Sequence, residues 1–222
     1  MNKMLSWIPA LLGGARITIA LTITSVSAGV LLSTFLALGK MSKNPFFNKF
    51  CTAYIFFFRG TPLLMQLFFI YYALPMISPV FLIPIRNQEL NRFVYAFIAY
   101  SLNVAAYAAE IVRAALQSID KGQFEASRAL GLTYGQTMRL VIIPQSIRRL
   151  IPPVGNEFIM ILKDTSLVSM IALIDITKAT RSIEGSTRSA LVYIPAMLLY
   201  LVITWVFSFV FNKLEKKYSI YL

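Results

Sequence analysis

Histidine is absent from the 222 residues, and cysteine occurs once, as Cys51. The first absence removes imidazole, the usual proton-transfer group near neutral pH and the commonest metal ligand. The second excludes an internal disulfide, and Cys51, set in an apolar run, reads as packing. No metal site is expected. Charged residues make up only 14% of the chain, against roughly 25% in ordinary globular domains. No Gly-x-x-x-x-Gly-Lys-Ser/Thr phosphate loop occurs: Gly39-Lys40 lacks both the upstream glycine and the following hydroxyl. Without His, a nucleophile pair or a carboxylate cluster, an enzyme is not expected.

What is present is apolar. Hydrophobic residues form 58% of the chain, more than a soluble fold of this size hides behind so few charges; lipid accepts that surface. The net charge of +12 does not point to nucleic acid, because Lys and Arg fall in short clusters between apolar runs, as cytoplasmic loops of membrane proteins do. The uncharged stretch Ile17 to Gly39 is about 23 residues, or roughly 34 Å as a helix, enough to cross a bilayer core. It reads as a retained span, since no small-residue cleavage site ends it.

The pattern predicts an all-α membrane domain covering 1–222 with five transmembrane helices, at about 14–40, 46–76, 91–116, 151–176 and 189–212. The second run is too long for one straight span, so Gly60 and Pro62 should bend it. Ala105, Ala106, Ala108 and Ala109 on the third span would let neighbouring helices approach closely, and Glu110 and Arg113 can pair at i, i+3. The polar stretch 117–149 reads as a loop with one or two short helices. Basic residues are richer on the side holding that loop and the tail, which places the C-terminus in the cytoplasm and the N-terminus outside.

The loop carries an ordered string: Glu125-Ala126-Ser127, three residues, Gly131, nine residues, Val141, one residue, Ile143-Pro144. On a short helix Glu125, Ala126, Ala129 and Leu130 form one patch, and Gly131 can end that helix in a left-handed conformation. The string resembles the cytoplasmic signature of permease subunits of binding-protein-dependent ABC importers, Glu-Ala-Ala, three residues, Gly, nine residues, Ile, one residue, Leu-Pro. Three positions depart, at Ser127, Val141 and Ile143. Phe58-Arg59-Gly60-Thr61-Pro62, Leu102 to Glu110 and Lys163-Asp164-Thr165-Ser166-Leu167 are similar to the polar amino acid branch, including histidine-, arginine-, glutamine- and cystine-type permeases. The resemblance spans essentially the whole chain.

It implies a type I ABC importer permease fold in the bacterial inner membrane, with Glu125, Ala126, Ser127, Ala129, Leu130 and Gly131 on a coupling helix that docks on a partner ATPase. It further implies a dimer of ATPases carrying the ATP and Mg²⁺, with no cofactor in this chain. A second permease copy or a homologous permease and an extracytoplasmic amino-acid-binding protein complete the expected assembly, with membrane lipid around it and no nucleic acid. An ion-coupled secondary transporter is the main rival, and it would ordinarily show inverted repeats, which the sequence lacks.

Charges within a span are costly and usually face a protein interior or a wet cavity. Glu157 and Asp164, seven residues apart, share a helix face, and Asn156 and Lys163 repeat the spacing one residue back. Lys163 and Asp164 either pair structurally or line the pathway. The resemblance places Glu157, with Asn156, where histidine- and arginine-type permeases contact cargo and where glutamine- and cystine-type relatives often lack the acid, which implies a polar, cationic cargo such as arginine, histidine or lysine, with a cystine- or glutamine-type permease as the alternative; Thr61 joins them as a candidate contact. Arg59 has two readings: an anchor for backbone carbonyls freed at Gly60 and Pro62, or a partner for a cargo carboxylate. Leu63 stands where some relatives carry an acidic ligand.

Overall fold

The computed structural model describes residues 2–218, and among them every regular element is helical. The long helix α1 (Asn2–Lys40) is followed by α2 (Pro45–Gly60), α3 (Leu63–Phe68), a π turn (Phe69–Ala73) and α4 (Leu74–Ile77). Next come α5 (Gln88–Gln117) and the short helices α6 (Lys121–Ala129) and α7 (Tyr134–Thr137). A π turn (Met138–Ile142) leads into α8 (Ile143–Asp164), a 3-10 segment (Thr165–Ile171), α9 (Ile176–Thr187) and α10 (Tyr193–Tyr218).

The ends follow local chemistry. Asn44 caps α2 by accepting from Phe46 N and Phe47 N, with Pro45 in the first turn, where its missing N–H is no loss. Asn87 caps α5 through Leu90 N, and Asp120 caps α6 through Gly122 N.

α5 is the axis of the protein. Of its most apolar stretch, 61% is buried inside the chain, against 11% for α10, which leaves α10 on the periphery. Ala105, Ala106, Ala108 and Ala109 are all buried, as expected of small residues at a helix contact. α1 makes the most extensive packing with α5. Gly29 permits it, since a Cβ there would come within 2.5 Å of Val104. Leu21, Tyr100, Val104, Phe158 and Ile161 fill the core between α1, α5 and α8.

Among the described residues three helices are long and apolar enough to cross a membrane, Met4–Lys40, Gln88–Gln117 and Ala190–Tyr218, and Pro45–Gly60 with Leu63–Ile77 forms a fourth candidate bent by 106°. The bend lies where Gly60 and Pro62 predict it. The stretch read as a fourth span over 151–176 differs. Its helix starts earlier, at Ile143, runs through Pro152 and Pro153, and stops at Asp164. Past that point hydroxyls turn back on the backbone, Thr165 Oγ1 to Leu162 O and Ser169 Oγ to Ser166 O, and Ala172 adopts a left-handed conformation. α8 carries Arg148, Arg149, Glu157, Lys163 and Asp164 and is not among the long apolar helices. The first helix likewise begins well before 14, and the last ends beyond 212.

Candidate functional site

α5 and α8 face one another across a cavity of about 440 Å³. Tyr107, Glu110, Ala114 and Ser118 line it from α5 and its C-terminal end, Arg149, Pro153 and Glu157 from α8, and Arg59 from the last turn of α2. The residues from α8 fall at i, i+4 and i+8, one helical stripe. Arg149 donates to Ser118 O, which pins the two helices at one end. Eight residues back along α5 and eight onward along α8 stand Glu110 and Glu157, each about 12 Å of helix from that contact. The two carboxylates thus belong to opposing walls.

They are held differently. Glu110 accepts from Lys40 at 2.6 Å and from Arg113 through Nη2 at 2.7 Å and Nε at 3.1 Å. The i, i+3 pair foreseen with Arg113 is present, and Lys40 adds a tie to the end of α1. Glu157 is buried, 7% exposed, and accepts no hydrogen bond among the described residues. Two charges act on it, Asp164 unfavourably and Arg59 favourably. Glu157 lines the cavity, so whatever fills that cavity can supply its donors.

Arg59 does not anchor the carbonyls at the bend. Those are met by Gln66 and Asn103, while the guanidinium lies 5.3 Å from the centre of the Tyr107 ring, a cation–π distance. It stands at the C-terminal end of α2, where the helix dipole favours a cation. Arg59 and Tyr107 also line a second cavity of about 390 Å³, with Lys40, Thr52, Phe56 and Gly60 on its other sides.

The other candidates scatter. Asn156 points away from Glu157, into a cavity of about 290 Å³ with Ser208, Asn212 and Glu215 of α10. Thr61 is taken up at the bend, donating to Phe57 O at 2.8 Å and accepting from Gln66. Lys163 is exposed, and Asp164 holds its neighbours through its backbone, which accepts from the Tyr100 hydroxyl at 2.6 Å. Tyr107, Gln66 and Asn103 escaped the sequence reading. Polar side chains within uncharged spans were the available signal for the last two.

The polar loop forms a compact hook. In α6 Glu125, Ala126, Ala129 and Leu130 are exposed, Leu130 at 81%. Ser127 faces inward and is buried, donating to Gln123 O. Gly131 has φ +77°, Leu132 N donates to Ser127 O, and Gly131 N donates to Arg128 O. This paired closure is a Schellman C-cap, which needs a left-handed residue at the Gly131 position.

The family profile described as "Binding-protein-dependent transport system inner membrane component" matches residues 29–219. The chain belongs to that family. This inner-membrane transport component is 39% identical over 219 residues to the L-cystine transport system permease protein TcyB of Bacillus subtilis (strain 168), covering 98% of this chain and 90% of that one. It is 34% identical over 214 residues to the glutamine transport system permease protein GlnP of Escherichia coli (strain K12), covering 96% and 94%. Its fold matches a chain of a solved amino acid ABC transporter with histidines, with a TM-score of 0.87, 38% identity and 97% of each chain covered. A MetNI methionine ABC transporter chain, at 19% identity and TM-score 0.76, shares the fold.

Proposed function

We propose that the chain is the permease subunit of an ATP-binding-cassette importer for polar amino acids, and that the α5–α8 cavity receives the cargo. Glu157 carries this reading: it is a buried residue with no donor among the described residues, opening on a cavity whose other acid, Glu110, is already paired with Lys40 and Arg113. A cationic group of the cargo completes it, either an α-ammonium or a basic side chain. Arg59, on the same cavity, receives the cargo carboxylate. Opposite charges on one cavity suit a zwitterion, and charge-assisted hydrogen bonds at both ends would hold it.

The 1–222 unit acts as one transmembrane domain, with α8 as the fifth crossing. Its charged face is shielded from lipid by the cavity and by a second permease copy or homologue. The N-terminus lies outside and the C-terminus in the cytoplasm. The exposed patch of α6 docks on an ATPase dimer, which holds the ATP and Mg²⁺, and an extracytoplasmic binding protein delivers cargo. Rocking of the helical bundles then alternates access to the cavity.

Two cargo classes fit. A basic amino acid would place its side-chain cation on Glu157. A neutral one such as glutamine or cystine would place its α-ammonium there, and the likeness to cystine and glutamine permeases favours that version. Uptake of labelled arginine, histidine, lysine, glutamine and cystine by the reconstituted complex decides between them. Glu157→Gln keeps the shape and removes the charge, so uptake of the true cargo should drop at least about tenfold. Unchanged uptake of all five would falsify the assignment.

A further inference from the structure

Arg59 reaches the cavity from the final turn of a helix that ends one residue later, and among the described residues its contacts are the Tyr107 ring and the field of Glu157. Its direction is therefore set by how the end of α2 is held. A helix end leaves its last four carbonyls without amide donors, and Pro62 has no N–H to offer. In a membrane such groups need internal partners.

Thr61 Oγ1 meets Phe57 O, and two buried amides meet Phe58 O, the carbonyl just before Arg59. Gln66 of α3, 4% exposed, reaches with Nε2 to Phe58 O at 2.8 Å, Thr61 O at 3.0 Å and Thr61 Oγ1 at 2.8 Å. Asn103 of α5, 5% exposed, donates to Phe58 O at 3.3 Å and to Gln66 Oε1 at 2.9 Å. The Phe58 carbonyl belongs to the peptide that enters Arg59. On the far side Tyr54 donates to Leu102 O at 2.9 Å, so α2 is tied to adjacent positions of α5 from both ends of this turn.

We infer that Gln66 and Asn103 are positioning residues for cargo recognition: they clamp the bend between α2 and α3 and so hold Arg59 over Tyr107, aimed at the carboxylate of the amino acid. This rests on the cargo cavity proposed above. Gly60 plays no packing part, since a Cβ there would meet nothing within 4 Å; Pro62 breaks the helix, and the amides hold the end it leaves. A displacement of Arg59 by an ångström is enough to lose an aligned bidentate contact.

The test uses the permease with its ATPase in lipid nanodiscs, without binding protein, and two probes: tritiated glutamine and its α-amide, which lacks the carboxylate. The wild type should bind glutamine at least about tenfold tighter than the α-amide. Arg59→Gln should abolish that difference. Gln66→Leu should also abolish it, through weaker glutamine binding with α-amide binding unchanged. Asn103→Ser, which leaves Gln66 in place, should lose part of it and covers the case in which Gln66→Leu does not assemble. In parallel, spin labels at Thr52→Cys and Met76→Cys in a Cys51→Ser background should report a shifted distance across the bend in the Gln66 variant. Equal binding of both probes by the wild type overturns the role of Arg59 and this inference with it. A wild-type preference that survives intact in Gln66→Leu and Asn103→Ser overturns the clamp alone.

Discussion

The α5–α8 cavity and the α6 hook are built on opposite plans. The cavity collects residues from α2, α5 and α8, and its position depends on the whole helical packing. The hook is made by residues contiguous in the chain, closed by its own caps, with its working face turned outward. Groups in the cavity are thus tied to folding energetics, whereas the outward face of the hook contributes little to stability and is free to serve a partner. Substitutions should separate along that line: damage around the cavity shows first in the isolated permease, and damage on the hook shows in the assembled complex.

The largest effect is expected where the packing that builds the cavity has no slack. Gly14 of α1 lies against the turn before α9, and a Cβ there would stand 2.6 Å from the carbonyl carbon of Asp175. That neighbour is backbone, fixed in turn by the N-cap that Asp175 gives to Lys178 N and Thr177 N. Gly14→Leu should therefore cost about 3 kcal/mol or more, seen as loss of a monodisperse species and a lowered melting temperature in detergent. Gly13, whose Cβ would meet nothing within 4 Å, provides the control: Gly13→Leu should melt like the wild type. Equal tolerance of both changes would dissolve the contrast.

The same division explains what the sequence made legible. The closure of the hook could be read down to the left-handed Gly131, because helix caps are local chemistry, but Ser127, expected with the docking residues, is buried on its inner side. The bend at Gly60 and Pro62 was equally visible, as were the small residues on α5. The occupants of the cavity were only half visible. Glu157 stood out as a charge in an apolar run, but Asn156 shared that signal and turned to α10, one residue being enough to change helix face. The sequence leaves Arg59 with two readings, an anchor for freed carbonyls or a cargo contact; the donors to Phe58 O are Gln66 from the next helix and Asn103, 45 residues away in sequence. Spacing within one segment does not determine which segment packs beside it. The end of α8 was missed for a similar reason, since the chain tightens into a 3-10 segment over Thr165–Ile171 and turns at the left-handed Ala172, which hydropathy does not register.

Next in size is the hook's own closure. Gly131→Ala introduces a Cβ at φ +77°, where nothing clashes but the left-handed conformation itself costs about 1–2 kcal/mol. The strain is confined to the loop. The melting temperature of the isolated permease should hardly move, while hydrogen exchange at the amides of Gly131 and Leu132 accelerates and cargo-stimulated ATP hydrolysis falls. A global loss of stability would show that the hook is part of the fold after all.

Within the cavity the two carboxylates should answer in opposite directions. Glu110→Gln removes the charge and one of the two oxygens that accept from Lys40 and Arg113, whose side chains are 26% and 30% exposed; solvent screens the loss, which should be about 1 kcal/mol. Glu157→Gln removes a buried charge that no protein donor satisfies, so the empty protein should melt at the same or a slightly higher temperature even as transport fails. Thermal melts of both variants beside the uptake assay check this. If Glu157→Gln destabilised as Glu110→Gln does, Glu157 would be a structural group, and the cavity would lose its claim on cargo.

The smallest effect on the fold sharpens the contrast most. Leu130 is 81% exposed at the tip of α6, an apolar side chain held out of the core beside a helix cap. Leu130→Ser removes no internal contact of consequence, and its effect on stability should stay within about 0.5 kcal/mol. If Leu130 is instead an anchor filling a cleft on the ATPase, the same change should cost the complex about 1–2 kcal/mol or more. That would be read as loss of the ATPase on dilution in size-exclusion chromatography. Retention of the ATPase with undiminished cargo flow would leave the exposed leucine without a partner and remove α6 as the point of coupling.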